Sequence, residues 1–248
     1  MLSVRSFIIT VFFASSVAWS NENKEIKISP RTQEALMKLK LPGVKINLDE
    51  WSVDVDAEVC LHDGLLELIL CVDNTKEHES IFSTKARALH IHTALLLMGS
   101  KPGTPAMKKV QIKGEHQWVS VEPSGDDIVL SVVLPSKDGS VKEYPINKFV
   151  SSATPENQEQ GYGEMKKFPD KFIFSGSHLI ATANGQKKYL CEDSGNVISV
   201  STFGDEMVCL SEVTGHDNNK LGWKVNPQLL PKIGDKVIIR LKSKNIRK

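Results

Sequence analysis

Trp51, Val53, Val55, Ala57 and Val59 alternate with Ser52, Asp54, Asp56 and Glu58. A period of two predicts a half-buried strand. Asp63-Gly64 follows as a hairpin turn signal. Leu65 to Val72 is then an apolar run broken by Glu67, and it predicts the partner strand. From about Lys85 to Met98 the pattern becomes helical, with Thr84 placed to cap the start and Gly99 to end it. A shorter helix is predicted from about Pro30 to Leu39, because proline fits a first helical turn. Further strand patterns cover 117–122, 128–134, 141–144, 171–175, 188–191, 197–202, 207–210 and 236–241. Ser124-Gly125, Asp138-Gly139, Asn184-Gly185, Ser194-Gly195 and Gly204-Asp205 punctuate them. The expectation is an α+β fold, β-rich, with a mostly antiparallel sheet, one main helix at about 85–98 and a short N-terminal helix.

The first twenty residues follow another pattern. Arg5 precedes an apolar stretch from Phe7 to Val17, and Ala18-Trp19-Ser20 offers small residues at positions −3 and −1 of a cut. This describes a secretory signal peptide, and the apolar stretch is too short for a comfortable membrane span. The expected division is a signal at 1–20, an N-terminal segment at 21–43, one domain at 44–241 carrying a polar loop at 151–163, and a basic tail at 242–248. Export to the periplasm or the extracellular space follows, with no membrane span after the signal is removed.

Charge narrows the partners. The chain has 31 Lys+Arg against 30 Asp+Glu. Removing Arg5 with the signal leaves a balanced chain, so nucleic acid is not an expected partner. Trp51, Trp118 and Trp223 read as core residues because no basic stripe accompanies them. The four cysteines, Cys60, Cys71, Cys191 and Cys209, allow three disulfide pairings. A hairpin at Asp63-Gly64 sets Cys60 opposite Glu67 and Cys71 opposite Asp56, which separates those two thiols. Cys191 and Cys209 fall on nearby strand patterns. No CxxC spacing is present, which argues against a zinc ribbon, an iron–sulfur run or a thioredoxin-type site.

The densest polar cluster is Lys76-Glu77-His78-Glu79-Ser80. Two carboxylates beside an imidazole can set its tautomer and pKa, and such a group can serve as metal ligand or general base. Alternatively it is a solvated loop. His90 and His92 are two residues apart. On a helix that places them about 200° from each other, which prevents a joint chelate. His92 falls on the apolar stripe and His90 on the less apolar side. A core-facing histidine is either a structural hydrogen-bonder or a partner of the polar cluster. Cys71 with His78 or His92 is a further candidate nucleophile pair.

Gly64-Leu-Leu-Glu67, Thr75-Lys-Glu-His-Glu-Ser-Ile81 and the stretch from Ile91 to Pro105 (IHTALLLMGSKPGTP) resemble the YdjY-domain proteins, mostly exported bacterial proteins of unknown function. The stretch from Asp193 to Gly204 resembles their C-terminal strand motif. The likeness runs from about Val44 to Leu241. It implies a site containing Cys71, Lys76, Glu77, His78, Glu79, Ser80 and His92, and it does not clearly include His90. Some members are described as ferredoxin-like, for which this chain lacks the cysteine spacing. Two functions are carried forward. One is a non-enzymatic extracytoplasmic binding or structural module whose Lys76, Glu77 and Ser80 bind a ligand or order the loop, with no cofactor. The other is a metal- or thiol-assisted hydrolase with His78, Glu79, His92 and Cys71 as catalytic candidates. There a divalent metal such as zinc would sit on His78 and His92.

Overall fold

The computed structural model describes residues 29–112, 114–136, 139–153, 167–182, 184–214 and 221–244. The signal-like segment 1–20 and most of the polar loop, 154–163, lie outside them. Helix α1 (Pro30–Lys38) begins where proline predicts, with the Ser29 hydroxyl accepting from the Thr32 amide. Strands β1 (Val44–Asn47), β2 (Ser52–Val59), β3 (Leu68–Val72) and β4 (Ser80–Thr84) follow, and then helix α2 (Ala88–Leu97). Next come β5 (Pro102–Thr104), β6 (Met107–Ile112), β7 (Glu115–Ser120), β8 (Ser124–Gly125), β9 (Asp127–Pro135), β10 (Val141–Pro145) and β11 (Val150–Ser152). The last part holds β12 (Phe172–Ile173), β13 (Leu179–Ala181), β14 (Lys187–Tyr189), helix α3 (Leu190–Ser194), β15 (Asn196–Ser199), β16 (Val208–Cys209), β17 (Trp223–Val225) and β18 (Lys236–Ser243).

Eight strands close into a barrel in the order β2-β18-β9-β12-β16-β15-β3-β4, and β4 pairs back onto β2. Closure leaves no unpaired strand edge in the ring. The β-rich character with few helices agrees with the expectation, but the sheet is mixed, since β3/β4 and β15/β16 run parallel. The core-facing positions of the long strands are apolar: Val53, Val55 and Ala57 of β2, Val237, Ile239 and Leu241 of β18, and Leu130 and Val132 of β9.

The hairpin expected at Asp63-Gly64 does not form. Beyond Gly64 the chain is taken up elsewhere: the Val225 amide donates to the Gly64 carbonyl, the Leu66 amide to Trp223 and the Glu67 amide to Glu79. Strand β2 instead takes β4 as its neighbour, with Val59 opposite Phe82, and β3 lies on the other side of β4. Helix α2 also starts later than expected, because Thr84 belongs to β4. Its hydroxyl donates to the Asp56 carbonyl at 2.6 Å and accepts from the Ala86 amide at 3.0 Å. The exposed amide of Leu89 is capped from a distance by Glu192 at 3.1 Å, and Glu192 also binds Arg87 at 2.8 Å. A carboxylate at a helix N-terminus is favourable.

Cys191 lies on α3 rather than on a strand, and all four cysteines are free thiols. Trp223 is buried, but Trp118 sits exposed on the β6/β7 hairpin and meets the His178 ring edge-on at 4.9 Å. Lys242 is not part of a tail: it continues β18 and pairs with Glu50 at 2.9 Å. Ser151 and Ser152, expected in the polar loop, are strand residues of β11 paired with β17.

Candidate functional site

The polar loop at 75–80, between β3 and β4, is held by its own hydrogen bonds. Thr75 donates its hydroxyl to the Val72 carbonyl, and the amide of Asn74, in a left-handed conformation, donates to Glu77. Gly195, at φ 81°, allows Thr75 to approach closely, because a Cβ there would lie 2.1 Å from the Thr75 hydroxyl oxygen. Glu77–Glu79 then form a single 3-10 turn. Lys76 places its ammonium 3.3 Å from Glu79 and 3.6 Å from the centre of the Phe203 ring, a combined ion pair and cation–π contact. His78 lies 3.6 Å from Glu79 with its side chain 77% exposed. Ser80, fully buried, donates to the Phe82 carbonyl at 2.8 Å.

Beside this loop lie Cys60, which follows β2, and Cys71, which belongs to β3. The Cys60 amide donates to the Ile81 carbonyl at 3.0 Å, and its thiol donates to the Ser80 carbonyl at 3.1 Å. Cys71, opposite Ser83 in the β3/β4 ladder, is fully buried. The Cys71 thiol, followed by burial, pushes the Cys60 thiol up. The Cys60 thiol in turn holds Cys71 below the usual thiol range. The Ser80 hydroxyl and the Lys76 amide help, while burial and the Glu77 carboxylate oppose.

His92 occupies a different environment. Its ring packs edge-on against Phe174 at 4.9 Å and Tyr189 at 5.6 Å. Nδ1 is 2.9 Å from the Tyr189 hydroxyl, which itself donates to the Gly176 carbonyl at 3.0 Å. Since that hydroxyl proton is committed, the relay requires Nδ1–H to be the donor. Burial, opposed by the Gly176 backbone, holds the imidazole below its ordinary value of 6.5. The folded pKa lies below the unfolded one, so the stability this histidine contributes is whole above pH 6.5 and is lost as pH falls through the folded value. An NMR titration of His92 is expected to show a midpoint below 6.5; a midpoint at or above that value would contradict the enclosed relay.

The structure thus brings Cys71, Lys76, Glu77, Glu79 and Ser80 into one neighbourhood with His78 at its solvent edge. His92 shares no hydrogen bond, ion pair or ring contact with that group among the described residues. Nor, among those residues, do three or more His, Cys, Asp or Glu side chains gather as a metal cluster. No helix of the described residues is long and apolar enough to cross a membrane.

A closed mixed barrel with a polar loop between β3 and β4 defines a β-barrel domain. The model of the YdjY domain family matches residues 44–242, and the chain belongs to that family. Comparison with the curated proteins gave no match. Comparison with the solved structures gave none either.

Proposed function

We propose that this YdjY-domain protein is an exported, non-catalytic module that binds a small molecule with an apolar body and a charged end. The observation that carries this reading is a cavity of about 480 Å³ on the outer face of the barrel, of the size that small-molecule sites have. Val133, Pro135, Val141 and Ile238 give it an apolar floor, and Lys85 and Asp73 stand at its rim. Cross-strand register builds the floor: Ile238 lies opposite Val133, and Val141 opposite Pro135. Lys236 and Glu58, also at the rim, are paired to each other, and that bond leads in holding the Glu58 carboxyl below its usual range.

The polar loop is read as an ordered element rather than a reaction centre. His78 faces solvent and His92 is enclosed by Phe174 and Tyr189, which supports the binding reading over a hydrolase that needs both imidazoles on one atom. Export rests on the segment at 1–20, and N-terminal sequencing of protein recovered outside the cytoplasm should begin at Asn21.

Anilinonaphthalene sulfonate, an apolar body with an anionic end, serves as the probe. The folded protein is expected to bind it with a saturable rise in fluorescence. Ile238→Trp, which fills the floor, should weaken that binding at least tenfold while the far-UV circular dichroism stays unchanged. Equal binding by the folded variant would overturn the cavity as the site.

A further inference from the structure

We infer that the cavity on the outer face of the barrel selects a cation: its ligand is an amphiphile with an alkyl or aryl body and a single ammonium end, and Asp56 receives that end. This inference rests on the reading of the cavity as a ligand site and adds the sign of the charge.

The charges that line the cavity do not balance. Asp56, Glu58 and Asp73 bring three carboxylates, whereas Lys85 and Lys236 bring two ammonium groups. Lys236 stands opposite Glu58 in the β2/β18 ladder and is paired to it. Asp56 and Asp73 are left against Lys85, a surplus of one negative charge. Asp73 accepts from the side-chain amide of its neighbour Asn74 at 3.0 Å. The Asp56 side chain is exposed. Its main-chain amide donates to the Gly43 carbonyl at 2.9 Å, and its carbonyl accepts from the Thr84 hydroxyl. Among the described residues its carboxylate has neither a hydrogen bond nor an ion pair.

Register sets this free carboxylate at one end of the apolar floor. Asp56 lies opposite Ile238 of β18, and Ile238 lies opposite Val133 of β9. Directly opposed residues share a face of the sheet. The row therefore reads carboxylate, isoleucine, valine across two inter-strand spacings, about 10 Å. A ligand lying along it places its head on Asp56 and its body over Ile238 and Val133. At the other end of the row Val133 lies opposite Glu143, but that carboxylate is taken by Arg240 and Ser131. Asp56 is the one left to bind.

The surroundings of Asp56 also disfavour an anion. The adjoining wall is Gly43 and Ala86, packed so closely that a Cβ on Gly43 would lie 2.9 Å from the Ala86 Cβ. Neither residue carries a side-chain donor for a negative end. The apolar floor lowers the local dielectric, so a carboxylate beside it attracts a cation more strongly than one in open water.

The test titrates the full folded chain with octylammonium, octanoate and octanol, each below micelle formation, by isothermal titration calorimetry. The three share one chain and differ in the charge of the end. The anilinonaphthalene probe reports the floor, and these ligands report the sign. Octylammonium is expected to bind at least about threefold more tightly than octanoate, the scale of a partly exposed charge pair, with octanol between them. Raising the salt to about 0.5 M should narrow that gap. Asp56→Asn, which removes the charge and keeps the size, should bring octylammonium to the affinity of octanol and leave octanol unchanged. Ile238→Trp should weaken all three. The wild-type order alone decides the sign if a variant does not fold. Octanoate binding as tightly as octylammonium would overturn the inference, and the cavity would still stand as a ligand site if Ile238→Trp weakened both. An ammonium preference that survives Asp56→Asn in full would remove Asp56 as the receiving group. Octylammonium binding untouched by Ile238→Trp in the folded variant would place it outside the cavity and sink the inference together with the reading it rests on.

Discussion

Arg240→Met is expected to lose about 3–5 kcal/mol of stability, the range seen when one partner of a buried ion pair is removed. Arg240 is only 9% exposed. Its Nε and Nη2 each reach an oxygen of Asp54 at 2.8 Å, and Nη1 reaches Glu143 at 2.6 Å. Asp54 also accepts from Ser52 at 2.9 Å and Asn47 at 3.2 Å. Without the guanidinium, the buried Asp54 carboxylate on β2 keeps only its neutral donors Ser52 and Asn47, while Glu143 on β10 keeps Lys242 at 3.7 Å. Arg240→Met combined with Asp54→Leu should recover much of the loss, because the charge that lacks a partner is then gone.

The same cluster sets a pH dependence. Burial raises the Asp54 carboxyl, but hydrogen bonds from Arg240, Asn47 and Ser52 outweigh it and hold the group below 3.8. Its folded pKa is thus below the unfolded one. The stabilisation is complete above the ordinary carboxylate range and is lost as pH falls through the folded value. Urea midpoints of the wild type should fall in acid below about pH 4, and those of the double variant should fall less. A loss under about 1 kcal/mol for Arg240→Met, well short of the usual range, would show that the cluster is not held as described.

Phe82→Ala is expected to cost a similar amount, about 3–5 kcal/mol, through the transfer and cavity terms of a large core side chain. Phe82 has no exposed surface and meets Phe149 edge-on at 6.2 Å. It also stands in the strand that closes the ring, opposite Val59 of β2 and Leu70 of β3. The cavity therefore opens at the seam of the barrel. Hydrogen exchange in β2, β3 and β4 should rise more than in β18 and β9. Leu97→Ala serves as the control. Leu97 is 45% exposed on α2, and its loss should stay near 0.5 kcal/mol or below, as for most surface changes. Equal losses at the two positions would mean that β4 does not close the core.

Much of the secondary structure was legible. The alternation at 51–59 located β2, Pro30 placed the start of α1, and Gly99 marked the end of α2. The polar residues 76–80 were visible as a cluster, and the resemblance to the YdjY family drew Cys71 towards them. The failures share one cause. Leu65 and Leu66 were assigned to a hairpin because the turn signal was strong, yet they pair with residues 223–225, about 160 positions further on. Thr84 looked like a helix cap but serves β4, because its hydroxyl finds the carbonyl of Asp56. His92 looked available to the polar loop, but Tyr189 from β14 takes its Nδ1.

By itself the sequence determined the faces of the strands, the ends of the helices and the chemical content of the polar loop. Those properties follow from neighbours one to four residues away, through side-chain alternation and local hydrogen bonding. Only the tertiary structure decided that β4 lies between β2 and β3, that Arg240 meets Asp54, and that Tyr189 meets His92. A period of two states which face a side chain takes and says nothing of which strand lies beside it. That choice is made by closing a ring whose partners are distant in sequence.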